Sequence, residues 1–101
     1  MNESKLSRET ILRELKNYLS QFERLYGVTK IGIFGSAARD ELRQNSDIDI
    51  VVEMKEPDLF YIVHIKETLE NDFHRPVDVI RYRSSMNRYL KERIDREACY
   101  A

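Results

Sequence analysis

Residues 31–52 read IGIFGSAARDELRQNSDIDIVV. An apolar run halts at Gly35-Ser36, ten residues intervene, and Asp47-Ile48-Asp49 opens a second apolar run. Residues 30–34 and 48–52 are short and β-branched, which predicts two strands. The segment between them carries Ala37, Ala38 and Leu42 and holds no Pro or Gly after Gly35, so a short helix with Ser36 as its N-cap is expected. Alternation along the second strand puts Asp47 and Asp49 on one face and Ile48, Ile50 and Val52 on the other.

Working outward, residues 7–26 place Ile11, Leu15, Tyr18, Phe22 and Leu25 at steps of three and four, widened by Leu12, Leu19 and Tyr26. This is an amphipathic helix with Ser7 as N-cap and Gly27 as its stop, and aromatic residues at that spacing are read as core. Beyond the second strand, Pro57-Asp58 starts a helix that runs to about residue 72 through Leu59, Ile62, Val63, Ile65, Leu69 and Phe73. Arg75-Pro76 breaks it, and residues 77–80 form a third strand carrying Asp78. Ser84-Ser85 offers caps for a last helix with Met86, Leu90, Ile94 and Ala98 every four residues.

The expected fold is α/β (α+β), in the order α-β-α-β-α-β-α, with a small mixed sheet of three or more strands and flanking helices. Residues 1–101 are expected to form a single domain. For Ser36 and Asp47 to serve one site, the first two strands must run antiparallel. For Asp78 to join Asp47 and Asp49, the second and third must run parallel, joined by a helical crossover.

Composition narrows the classes. Lys and Arg number 17 against 18 Asp and Glu, a balance that argues against duplex nucleic-acid binding. The longest uncharged run, residues 31–38, is far too short to span a bilayer. The amino-terminal MNESKLSRE has no apolar signal-peptide core, and the one cysteine, Cys99, has no intrachain partner. A cytoplasmic protein is expected. His64 and His74 are read as surface or packing residues, and residues 81–96, where Arg alternates with Glu and Asp, as a solvated helix face.

Gly-Ser alone is a common strand-to-helix turn, and Asp-x-Asp alone is commonly a solvated strand face. Together with a third strand Asp they ask for chemistry. At an effective dielectric near 20 and about 5–6 Å apart, two carboxylates repel by roughly 3 kcal/mol. Either a proton is shared or divalent cations sit between them. Oxygen donors without His or Cys favour magnesium or manganese over zinc. Two such ions about 4 Å apart would orient a triphosphate for in-line displacement. Gly35, lacking a side chain, lets backbone N–H groups and the Ser36 hydroxyl approach phosphate oxygens.

Gly35-Ser36, ten residues, Asp47-x-Asp49 and a later strand Asp78 resemble the nucleotidyltransferase motif of the DNA polymerase beta superfamily. GSAARDELRQNSDIDIVV and the chain length look like the minimal nucleotidyltransferases (MNT) of prokaryotic toxin–antitoxin pairs, over roughly residues 10–98. The resemblance implies a magnesium-dependent protein adenylyltransferase that moves AMP from ATP to a tyrosine of a HEPN-domain ribonuclease toxin and silences it. By that likeness Asp47 and Asp49 hold both ions, Asp78 holds the catalytic ion and assists deprotonation, and Gly35, Ser36 and Arg39 bind the triphosphate. Many relatives carry Gly where this chain has Asp40. Larger relatives add a domain for a small acceptor; with only 101 residues, the acceptor is expected to be another protein. Two alternatives stand beside this: an antitoxin that masks its toxin by stoichiometric binding, and a transferase subunit for a small molecule or RNA working with a separate acceptor-binding subunit.

Overall fold

A computed structural model describes residues 6–101, so most of the polar amino-terminal stretch lies outside it. Helix α1 spans Arg8–Tyr26. Ser7 Oγ accepts from Thr10 N–H at 3.1 Å, and Gly27 closes the helix in the left-handed conformation. Ile11, Leu15 and Phe22 are buried, with Leu12, Tyr18, Leu19 and Tyr26 packed beside them. Leu25 departs from the expected stripe: it is 50% exposed at the outer edge of the last turn.

The chain continues through β1 (Val28–Phe34), β2 (Ile48–Met54), α2 (Leu59–Phe73), β3 (Val77–Arg81), α3 (Arg88–Glu97) and β4 (Cys99–Tyr100). The strands form one mixed sheet in the order β3-β2-β1-β4, with β1 antiparallel to β2 and β2 parallel to β3, as the carboxylate argument required. Ile31, Ile33, Ile48, Ile50 and Val52 bury one face with Ile11, Leu15 and Phe22 of α1 and Ile65, Leu69 and Phe73 of α2. On the other face Phe34 and Val51 pack with Ile94, flanked by Met86, Leu90 and Ala98.

Three expectations are corrected. The helix expected after Ser36 is a run of turns over residues 35–40. One helical turn forms (Arg39 N–H to Gly35 O, 3.1 Å), but Asp40 then takes a positive φ of 59° and Glu41 N–H reaches back to Ser36 O at 2.8 Å. A single turn does not recover the cost of helix nucleation. The last helix is capped by Asn87, whose side chain accepts from Leu90 N–H, rather than by Ser84-Ser85. A fourth strand, β4, completes the sheet by pairing antiparallel with β1 (Gly32 opposite Tyr100, Ile33 opposite Cys99), and two residues carry no readable alternation.

Asp40 explains its own presence. Its backbone occupies the region where Gly is most at ease, which Asp tolerates better than most residues. Its Oδ1 accepts from Arg8 N–H at 2.9 Å, adding a cap to α1 from a distant segment. Asp40→Ala is therefore expected to destabilise by about 1–2 kcal/mol, and Asp40→Gly by clearly less, because Gly keeps the backbone and loses only the cap. Urea unfolding of the two variants checks the order.

A side-chain clip fixes where β3 begins. Glu70 Oε2 accepts from Lys66 Nζ at 2.6 Å and from Val77 N–H at 2.9 Å, and Lys66 Nζ also reaches Val77 O at 3.0 Å. The hydrogen bond from Lys66, then that from Val77, holds the Glu70 carboxyl below its ordinary 4.5. A lowered carboxyl stabilises the fold above its unfolded value, and that contribution is lost as pH falls through the folded value. Glu70→Gln should unfold more easily at neutral pH, and the gap to the unsubstituted chain should close below about pH 4.5, as read by urea titrations across pH.

Candidate active site

Asp49 and Asp78 are register partners across the parallel β2–β3 pair, so their side chains stand on the same sheet face one strand spacing apart. Asp47 lies just before β2 begins and is exposed. On the other side, Asp49 pairs with Phe34, the last residue of β1, so the chain leaves β1 directly beside the carboxylate. The next residue is Gly35, buried and at φ +68°. A Cβ there would stand 2.5 Å from Asp49 Oδ2 and 3.0 Å from Arg93 Nη2, so any side chain would push the Asp49 carboxylate and the Arg93 guanidinium aside. Ser36 follows, half-buried, and its hydroxyl makes no hydrogen bond among the described residues.

Burial raises the Asp49 carboxyl above its ordinary value; Asp78, Asp47 and Glu97 push the same way, and Arg93 opposes them. Acidic groups therefore outweigh Arg93 around Asp49. None of Asp47, Asp49 and Asp78 enters a salt bridge among the described residues. Nor do any three acidic, His or Cys side chains among those residues close to ion-sharing distances. The donor set is carboxylate oxygen alone, with no thiolate or imidazole, and that chemistry fits a hard divalent ion such as magnesium.

Two residues of α3 belong to this site: Arg93, which the charge pattern of residues 81–96 assigns to a solvated helix face, and Glu97, which follows that stretch. Glu97 Oε1 accepts from Gly35 N–H at 3.1 Å and from Arg39 Nη1 at 3.3 Å. Arg93 Nε stands 3.7 Å from the same oxygen, with its guanidinium 5.5 Å from the centroid of the Phe34 ring. Arg39, exposed and also bonded to Glu41, is thereby linked to the glycine turn through Glu97. The signal was present: Arg93 and Glu97 each precede a stripe residue, Ile94 and Ala98, and so border the sheet-facing side of α3.

Gly35→Ala is expected to cost about 1–3 kcal/mol in urea unfolding, from the positive φ together with the collision at Asp49. In an Asp49→Gly background, where the colliding oxygen is gone, the cost should shrink to the φ contribution. Equal costs in the two backgrounds would contradict the packing.

The comparisons with known proteins agree with this geometry. The polymerase beta nucleotidyltransferase family model matches residues 13–99. The protein adenylyltransferase MntA of Thermococcus cleftensis is 32% identical over 96 residues, covering 94% of this chain and 96% of that one. A solved minimal nucleotidyltransferase superposes with a TM-score of 0.76 at 30% identity, covering 96% of this chain and 98% of the other. The MNT antitoxin bound to the tri-AMPylated HEPN toxin of Shewanella oneidensis shares the fold, with a TM-score of 0.68 at 18% identity over 92% of this chain and 70% of that one. With its strand-borne carboxylates set against a glycine turn, this chain belongs to the polymerase beta nucleotidyltransferase family.

Proposed function

We propose that this protein is a magnesium-dependent protein adenylyltransferase that moves AMP from ATP to a tyrosine of a HEPN ribonuclease toxin, and thereby acts as an antitoxin in the cytoplasm. Residues 1–101 act as one minimal nucleotidyltransferase domain. The observation that carries the reading is the side-by-side placement of Asp49 and Asp78 with Gly35 packed on Asp49, in a chain of this family. The relatives support it: one is named a protein adenylyltransferase, and another is an antitoxin bound to an AMPylated HEPN toxin.

Each residue then has a task. The Ser36 hydroxyl and the N–H groups that directly follow Gly35, whose own N–H is held by Glu97, bind triphosphate oxygens, with Arg39 adding charge from the turn's far side. Asp47, Asp49 and Asp78 would hold two magnesium ions, which when bound supply the positive charge that offsets both the carboxylates and the triphosphate. Asp78, on the strand nearest the sheet edge, takes the proton from the acceptor hydroxyl. The acceptor oxygen forms a bond to the α-phosphorus, the bond from that phosphorus to the bridging oxygen breaks, and pyrophosphate leaves.

Intact mass of a HEPN toxin partner, measured after incubation with this protein, ATP and magnesium, tests the reading. A gain of one or more AMP units is expected, abolished by EDTA. Asp47→Asn combined with Asp49→Asn should keep the fold and lose at least about 100-fold in transfer rate. Undiminished transfer by that double variant would overturn the assignment of the carboxylates. A stable one-to-one complex with no mass gain would instead make the protein a masking antitoxin.

A further inference from the structure

β3 lies at the edge of the sheet, with β2 as its one neighbour. Ile48 N–H donates to Pro76 O at 3.0 Å and Tyr82 N–H to Val52 O at 2.8 Å. By the strand period of two, residues 76, 78, 80 and 82 turn their backbone groups toward β2, and residues 77, 79 and 81 turn theirs outward. The outward groups of Val77 are satisfied within the chain by Glu70 and Lys66. Those of Val79 and Arg81 have no hydrogen-bond partner among the described residues.

Beside that open edge lies a groove of about 580 Å³ between the first turn of α2 and the start of α3. Leu59, Ile62, Met86 and Leu90 give it apolar walls, and Arg81 and Arg83 a cationic rim. Neither arginine enters an ion pair among the described residues. Leu59 is 82% exposed, Phe60 76% and Tyr89 84%, so the apolar surface continues past the groove. Leu59 and Val63 were expected in the core stripe of α2; they face outward, and Ile65, Leu69 and Phe73 do the burying.

Building on the transfer to a protein acceptor proposed above, we infer that this groove is where the acceptor docks. An extended segment of the acceptor protein adds to the β3 edge at Val79 and Arg81 and seats an apolar side chain between α2 and α3. An acidic residue of the same segment meets Arg81 or Arg83. Three features select this occupant: backbone groups open to a strand partner, an apolar pocket, and two guanidiniums free of ion pairs among the described residues against one carboxylate, Asp58, in the lining. A docked helix has no free backbone groups for the edge, and a nucleic-acid strand has no apolar side chain for the pocket. Position adds a reason. A strand added about 4.8 Å from β3 carries a side chain beside Asp78, on the face Asp78 shares with Asp49. The acceptor hydroxyl therefore sits in the docked segment or within a residue or two of it.

The test combines Leu59→Asp with Arg83→Glu. Both positions are exposed, and an acidic residue suits the first turn of α2, which has none. With a HEPN toxin as acceptor, the KM for the toxin should rise at least about tenfold while the KM for ATP stays within about twofold. Hydrogen exchange on the unsubstituted complex should show the amides of Val79 and Arg81 protected relative to the free chain. An unchanged toxin KM, or unprotected amides in a formed complex, overturns the docking site. Absence of transfer by the unsubstituted chain would count against the transferase reading instead, and amide protection in the complex would still decide where the partner sits.

Discussion

Carboxylates on neighbouring strands repel, and the arrangement at the start of β2 and β3 depends on how that repulsion is met. The parallel register sets Asp49 against Asp78, and the antiparallel partner β1 delivers Gly35 onto the same carboxylate. Burial and the surrounding acids raise Asp49, while Arg93 is the positive group that opposes them. A structural ion-pair network would have matched each acid with a base. Here the bases are spent elsewhere: Arg39, Arg93 and Arg96 all turn to Glu97. A surplus of carboxylates at a strand end, unpaired among the described residues, is what the proposed cation site rests on.

The rest of the fold serves that end of the sheet. The two-helix layer of α1 and α2 gives the strands a rigid back, and the Glu70–Lys66 clip pins the start of β3 one residue before Asp78. Helix α3 covers the other face through Ile94 and uses the next residues along, Arg93 and Glu97, to hold the glycine turn. β4 follows immediately and completes the sheet beside β1, so the end of α3 is anchored on both sides. Glu97 is in this sense the joint of the site: it binds the Gly35 N–H and both arginines nearest the turn.

Much of this was legible before any coordinates. The two apolar runs around Gly35-Ser36 and Asp47-x-Asp49 announced their strands, and asking for one common site fixed the antiparallel and parallel pairings. Helix α1 could be read to its caps because Ser7 and Gly27 act locally. What failed was decided at longer range. The turn after Ser36 ends early because Asp40 takes a left-handed backbone and bonds Arg8 on α1, which no window of sequence around Ala37 contains. Leu59 and Val63 fit the helical period yet face outward, because period alone does not say which side of a helix meets the sheet. Arg93 reads as part of a solvated helix face and Glu97 carries no motif; only the placement of α3 across the end of β1 gives them their role.

The claim at the centre is that the carboxylate surplus at Asp47, Asp49 and Asp78 is a divalent-cation site formed together with a bound triphosphate. Electron paramagnetic resonance of Mn²⁺ titrated into the protein, with a non-hydrolysable ATP analogue present, tests it without relying on turnover. The account predicts bound Mn²⁺ in the unsubstituted chain, and affinity at least about tenfold weaker when Asp49 and Asp78 are both replaced by Asn. Equal Mn²⁺ binding by the two proteins would contradict it.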